Sequence, residues 1–204
     1  MVTHSKFGGM HRPVDSPGQR LYRLKTFASK NEYNLIVNTV RKLKESGFYW
    51  STMNGAEANR LLSPEPAGTF LIRDSSDNRH FFTLSVKTDS GTKNLRIQCE
   101  NCAFFLQTDS KSAQAVPKFD CVLKLVHHYM SAKSPATGNV KRGYFIYSGG
   151  EKVPLILSKP LASSVSTLQH LCRRTVNVAG DMSGKVDGLP MPVRQFLQEY
   201  DSPV

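Results

Sequence analysis

Arg73 stands at the end of a short apolar run and is followed at once by hydroxyl side chains. Residues 69–72 (Thr-Phe-Leu-Ile) predict a buried strand, because four apolar or β-branched residues follow a Pro-Ala-Gly turn. An arginine in such a strand is costly to bury unless an anion or a carboxylate meets it. Its planar fork suits a phosphate, to which Ser75 and Ser76 could add donors from the next loop. The alternative is an arginine paired with a carboxylate of the core.

Two further segments alternate apolar and polar residues with a period of two. Residues 82–87 and 94–99 predict the strands of an antiparallel hairpin, with a turn at 89–92. Such a hairpin has one apolar face and one polar face. The polar face carries Thr83, Ser85 and Arg96. Arg96 could therefore join Arg73 around a single anion, which is the arrangement that phosphotyrosine recognition needs.

Residues 70–75 (Phe-Leu-Ile-Arg-Asp-Ser), preceded by 47–50 (Gly-Phe-Tyr-Trp), resemble the signature of a Src-homology 2 (SH2) domain. The resemblance implies an α+β fold, in which a central antiparallel sheet is flanked by two helices, here at 54–62 and 120–130. It also implies that Arg73 binds a phosphotyrosine phosphate directly. The residues assigned to the phosphate site are Arg73, Ser75, Ser76, Thr83 and Arg96.

The segment before the domain combines an apolar, basic arm with a helix. Ser29 and Glu32 match a capping box and predict a helix over 29–46, which Gly47 would end. The arm before it carries Leu24 and Phe27, which we expect to be exposed with no partner of their own. Apolar residues on a flexible basic arm indicate insertion into the groove of another protein.

The last fifth of the chain predicts two short amphipathic helices, at 165–176 and from Pro192 onward. This region resembles a SOCS box, the module through which suppressors of cytokine signalling bind elongin C and a cullin. The resemblance assigns the elongin contact to Leu168 and Cys172, with Val176 as a further contact. It assigns cullin selection to Leu189, Pro190, Met191 and Pro192.

An arm, an SH2-like domain and a SOCS-like box in this order resemble the suppressor of cytokine signalling family. The arm corresponds to that family's kinase inhibitory residues, here Leu24, Lys25, Thr26 and Phe27. The resemblance divides the chain into a disordered N-terminus (1–23), a kinase inhibitory region (24–35), an extended helix (36–47), an SH2 domain (48–157, with a short loop at 131–143) and a SOCS box (158–204).

The family resemblance implies a negative regulator of cytokine (JAK-STAT) signalling. Such a protein binds phosphotyrosine on cytokine receptors or Janus kinases and blocks the kinase with its arm. It also serves as the substrate-recognition subunit of a ubiquitin ligase with elongin B, elongin C and a type-five cullin. The expected location is the cytoplasm, with recruitment to activated receptors at the inner face of the plasma membrane. The alternative is a phosphotyrosine-binding adaptor without ligase or inhibitory activity.

Charge and composition exclude some classes of partner and of cellular location. The formal net charge is +11, but the positive residues are dispersed and no basic helix carries interleaved aromatic residues, so we expect no nucleic-acid partner. The charge instead favours acidic partners. No apolar run approaches the length of a membrane span, and the N-terminus has no apolar core of a signal peptide.

The sequence contains no constellation of residues that predicts catalysis or a bound cofactor. It has no Gly-rich phosphate loop and no nucleophile elbow, so we expect it not to be an enzyme. Its four cysteines are too few and too scattered for a disulfide framework. Cys99 and Cys102 have the spacing of half a zinc site, but the sequence offers no second pair, so we expect no metal.

Overall fold

The computed structural model describes residues 25–106, 116–131, 144–148, 150–178, 188–202 and 204. The predictions for 1–23, for Leu24 and for nearly all of the 131–143 loop therefore lie outside the described residues. In chain order the elements are α1 (Lys30–Ser46), α2 (Gly55–Leu62), β1 (Thr69–Asp74), β2 (Phe82–Thr88), β3 (Gly91–Glu100), β4 (Ala103–Leu106), α3 (Val122–Ser131), β5 (Phe145–Ser148), β6 (Glu151–Pro154), β7 (Lys159–Pro160), α4 (Leu168–Val178) and α5 (Met191–Glu199).

The central sheet has the strand order β4-β3-β2-β1-β7, and β1 to β4 pair antiparallel with one another, as predicted. The two-residue strand β7 adds a parallel pairing to β1, which the sequence pattern did not predict. A separate hairpin joins β5 to β6. Two helices flank the sheet, so the predicted α+β fold is confirmed.

Two clusters of buried side chains lie on opposite faces of the sheet. The larger contains Phe70, Ile72, Phe82 and Leu84, together with residues of α1 and α3. The smaller contains Leu71, Ala58 and Leu62, and packs α2 on the other face. The alternation along β1 follows from the period of two in a strand, and it leaves the positions after Leu71 on the α2 face for polar residues.

Helix α1 begins and ends where its capping residues predict. The Ser29 hydroxyl accepts a hydrogen bond from the Glu32 backbone N–H, and Gly47 at the C-terminus has φ of 79°, in the left-handed region that favours glycine. The reciprocal half of the capping box differs from the prediction, because the Glu32 carboxylate accepts from the backbone N–H of Ala28 instead of Ser29. The chain entering the helix is therefore held one residue earlier.

Helix α4 begins three residues later than the predicted start at Val165. The Thr167 hydroxyl accepts a hydrogen bond from the His170 backbone N–H, which is the contact of an N-cap, so the helix starts at Leu168. Among the described residues, no helix combines the length and the apolar character needed to cross a membrane.

Candidate functional site

Three of the predicted phosphate-site residues lie side by side across the sheet. Arg73 on β1 is opposite Thr83 on β2, and Thr83 is opposite Arg96 on β3. Residues directly opposite one another in antiparallel strands point to the same face. The period of two therefore brings both arginines to the α2 face, as the sequence predicted.

Arg73 is held almost out of solvent, with 4% of its surface exposed. Each of its three guanidinium nitrogens donates to a neutral oxygen. Nε donates to Ser85 Oγ (3.1 Å), Nη1 to the Asp74 carbonyl (3.2 Å) and Nη2 to Asn94 Oδ1 (3.1 Å). The Ser85 hydroxyl also donates to Asn94 Oδ1 at 2.7 Å. These contacts differ from the core-carboxylate pairing considered above, and they fix the plane of the guanidinium.

The remaining donors of Arg73 match a phosphate. A guanidinium has five N–H groups, and the contacts given above, which are those within the described residues, use three of them. One N–H is left on each terminal nitrogen, which is the pair that two phosphate oxygens accept in a bidentate contact. Burial lowers the pKa of Arg73, and the neighbouring charge of Asp74 opposes that shift. The first residue of α2, Gly55, lies beside this fork, since a Cβ there would be 3.5 Å from Nη2.

The loop between β1 and β2 carries the two predicted serines in different environments. Ser75 is 3% exposed, and its hydroxyl accepts from the backbone N–H of Asp77 at 3.2 Å. Ser75 is the acceptor in this contact, so its own hydroxyl proton is not used by it. Ser76 is exposed. The structure thus places Ser75 at the base of the loop and Ser76 on its surface.

The prediction that Phe27 is exposed without a partner is wrong. Its ring stacks on Phe81 with the centroids 5.3 Å apart, and the Tyr33 ring meets it edge-on at 5.1 Å. Lys25 is 7% exposed, and its ammonium donates to the carbonyls of Ser75 (3.1 Å) and His80. Burial lowers the pKa of Lys25. The pattern of the arm did not indicate these contacts, because they are long-range and lie on the loop between β1 and β2.

Thr26 of the arm lies on the surface, and so do most of the C-terminal candidate residues. Thr26 and Cys172 are exposed, and Leu168 is 77% exposed. Val176 is half-buried. At the start of α5, Leu189 is half-buried, while Pro190, Met191 and Pro192 are exposed. The elongin-assigned residues therefore lie on α4, while the cullin-assigned residues lie at the start of α5 and immediately before it.

The opposite side of α4 is polar and buried, which the apolar pattern did not indicate. Arg173 is 3% exposed and forms an ion pair with Glu45 of α1. Its guanidinium lies over the rings of Phe196 (4.3 Å) and Tyr200 (4.8 Å). Burial lowers the pKa of His170, whose ring meets Tyr200 edge-on. These contacts fix the C-terminal helices against α1.

The chain following α5 completes this junction. Asp201 forms ion pairs with Lys42 of α1 (2.6 Å) and Lys124 of α3 (3.3 Å). Asn177 donates to the carbonyls of Tyr200 and Ser202. The two C-terminal helices are thereby joined to both helices of the larger core. Among the described residues there is no group of three or more His, Cys, Asp or Glu arranged to hold a metal ion.

Comparison with known proteins matches residues 48–129 to the SH2 domain. The chain is 65% identical over 214 residues to suppressor of cytokine signaling 3 of Gallus gallus, and 61% identical over 229 residues to the Homo sapiens protein of that name. Both alignments cover 100% of each chain. A solution NMR structure of the SH2 domain of the Monosiga brevicollis CRK/CRKL homolog is similar over 57% of this chain and 86% of that chain, at 19% identity and a TM-score of 0.39. The full-length identities show that the chain belongs to the suppressor of cytokine signaling family and contains an SH2 domain.

Proposed function

We propose that this protein restrains cytokine signalling by capturing a phosphotyrosine of a cytokine receptor or a Janus kinase at Arg73. The observation that carries the proposal is the buried guanidinium, whose two terminal nitrogens each retain one N–H after its contacts with the described residues. Arg96 lies on the same rung of the sheet, which is the row of directly opposed residues Arg73, Thr83 and Arg96. It supplies a second cation. Two arginines and a buried serine hydroxyl suit the two negative charges of a phosphate ester.

A second contact blocks the kinase. Phe27 packs on Phe81, while Tyr33 and Val37 on the adjoining turns of α1 are each 50% exposed. Exposed apolar side chains of this kind, beside the loop between β1 and β2, are typical of a surface that another protein covers, here the kinase. Phe27 has no hydroxyl to accept a phosphate, so the arm would occupy a tyrosine-specific site without being consumed. Because capture at Arg73 tethers the arm, a weak second contact is enough.

Replacing Phe27 with alanine tests the inhibitory contact. The Phe27→Ala variant should keep its affinity for phosphotyrosine peptides, because the ring does not contact Arg73 in the described structure, but it should lose inhibition of a purified Janus kinase. Lys44→Ala, at an exposed position on α1 outside the inhibitory region, is the control and should inhibit normally. Full inhibition by Phe27→Ala would overturn this part of the proposal.

A third contact recruits a ubiquitin ligase through elongin B, elongin C and a type-five cullin. Leu168, Leu171 and Val178 are 77%, 44% and 67% exposed on α4. Large apolar side chains exposed on one helix are typical of a surface that another protein covers. The bound receptor or kinase would then be ubiquitinated in the cytoplasm, at the inner face of the plasma membrane.

The alternative is an adaptor that binds phosphotyrosine and only links proteins. Capture of purified elongins B and C by the full-length chain separates the two functions, because the adaptor has no use for this contact. The phosphotyrosine step itself is tested with an array of cytokine-receptor peptides, each presented in phosphorylated and unphosphorylated form. We expect binding to a subset of the phosphorylated peptides alone, and equal binding to both forms would refute the proposal.

A further inference from the structure

The carboxylate of Asp77, on the loop between β1 and β2, already engages the second arginine of the phosphate site. Asp77 Oδ2 lies 3.4 Å from Arg96 Nε and 3.2 Å from Arg79 Nη2. His80 Nδ1 is 3.4 Å from the same oxygen. Arg96 shares its rung of the sheet with Arg73, so an internal anion sits at one edge of the phosphate site.

The backbone around Asp77 keeps the carboxylate in this place. Asp77 Oδ1 accepts from the backbone N–H of Arg79 at 3.0 Å, and the backbone N–H of Asp77 donates to Ser75 Oγ. Lys25 ties the two ends of the loop together by donating to the carbonyls of Ser75 and His80. The carboxylate is therefore part of a fixed loop and not a freely rotating surface group.

The charges around Asp77 favour its ionised form. The side-chain hydrogen bond from Arg79 lowers the pKa of Asp77 well below its usual range. Burial lowers the pKa of His80, which disfavours a charged ring beside Asp77. The carboxylate thus pairs with two arginines, Arg79 and Arg96, of which only Arg96 lies on the rung of Arg73.

We propose that Asp77 competes with the incoming phosphate for Arg96 and so sets the affinity of the site. The inference rests on the proposed binding of phosphotyrosine at Arg73. A doubly charged phosphate gains more from Arg96 than the singly charged Asp77 does, so it can displace the carboxylate. Breaking the Asp77–Arg96 ion pair costs the same free energy whether the ligand is a phosphate or the carboxylate of an acidic peptide. Asp77 therefore lowers the affinity for phosphotyrosine at least as much as the affinity for acidic side chains.

Asp77→Asn removes the charge and keeps Oδ1 as an acceptor for the Arg79 backbone. The full-length variant is titrated with the tightest phosphotyrosine peptide from the array and with the same peptide carrying glutamate in place of phosphotyrosine. Because Arg96 is half exposed, we expect the phosphopeptide to bind about twofold to fivefold more tightly than to the unchanged chain. The glutamate peptide should gain by no larger a factor, because it carries less charge to be repelled by Asp77.

A double-mutant cycle isolates the contact between Asp77 and Arg96. In an Arg96→Gln background the Asp77→Asn gain should disappear. Asp89→Asn, on the exposed turn between β2 and β3, changes the net charge equally and should leave affinity unchanged. The inference is overturned if Asp77→Asn gives no gain, if the gain persists without Arg96, or if Asp89→Asn matches it.

Failure of the underlying function has a different signature. If the unchanged chain binds phosphorylated and unphosphorylated peptides equally well, phosphotyrosine capture is refuted. A chain that makes this distinction but shows no Asp77→Asn gain refutes the competition alone.

Discussion

The proposed phosphate site and the exposed face of α4 are suited to binding by opposite physical means. At the first, Arg73 is 4% exposed, and neutral oxygens of Ser85, Asn94 and the Asp74 backbone hold it. At the second, Leu168 is 77% exposed and covered by no other part of the chain that the structure describes. One surface is organised before its ligand arrives, and the other is an apolar helix face that a partner must cover.

This difference determines what each surface can recognise. A preorganised guanidinium gives a few strong, directional contacts and suits a small, doubly charged group. An exposed apolar face gains free energy in proportion to the area removed from water, so it needs a protein-sized partner. Substitutions should therefore affect one ligand without affecting the other, and the four changes below test that separation.

The largest effect is expected from Arg73→Lys. Lysine keeps the charge but cannot form the two parallel hydrogen bonds, so phosphopeptide affinity should fall by about 100-fold or more. Isothermal titration calorimetry measures the change. Arg41→Lys, at an exposed position on α1, is the matched control and should bind normally. Elongin capture should be unchanged in both variants, and its loss in Arg73→Lys would mean that the two surfaces are coupled.

Leu168→Ala should weaken elongin binding by about 30-fold, because it truncates the most exposed leucine of α4. The melting temperature should stay within about 1 °C of the unchanged chain, since the side chain is exposed. Leu61→Ala, which truncates a leucine that is 36% exposed on α2, is the matched control. If Leu168→Ala unfolds α4 or leaves elongin binding intact, the face has been misassigned.

The geometry of the proposed phosphate site was largely predictable because its residues obey one local rule. A period of two along β1, β2 and β3 places Arg73, Thr83 and Arg96 on the same face, whatever the strands connect to. The contact between Arg73 and Asn94 was not predicted, although Asn94 is two residues before Arg96 and so shares its face. Its pairing depends on the register between strands, which the pattern of a single strand does not contain.

The arm and the buried side of α4 were less predictable for a related reason. Phe27 finds Phe81 across more than fifty residues, and Arg173 finds Glu45 across 128. Side-chain types within α4 indicated its apolar face correctly, but the buried face is polar. From sequence alone, a polar helix face is expected to be exposed to solvent. The partners that bury this face lie on another helix, so the sequence of α4 does not reveal them.

Asn94→Ala should lower phosphopeptide affinity by about tenfold. The change removes the acceptor of Arg73 Nη2 and of the Ser85 hydroxyl, so the guanidinium must be ordered at the time of binding. Asn59→Ala, on the exposed side of α2, serves as the control and should have no effect. Unchanged affinity in Asn94→Ala would show that the Ser85 and Asp74 contacts suffice to orient Arg73. The orientation of the guanidinium before binding would then not depend on β3.

The smallest effect is expected from Glu45→Gln, at the junction between the two regions. Arg173 is 3% exposed while the Glu45 side chain is 34% exposed, so solvent screens part of their attraction, and we expect a loss of about 1 kcal/mol in the free energy of unfolding. For a chain of this length that is a fall of about 2–4 °C in melting temperature, measurable by calorimetry. Glu199→Gln, at an exposed position on α5, should melt unchanged. Phosphopeptide and elongin affinities should both stay within about twofold of the unchanged chain, because the Glu45–Arg173 pair joins α1 to the C-terminal helices without contacting either binding surface. A larger change in either affinity would show that the junction affects binding at that surface, and that the two surfaces are thermodynamically coupled through it.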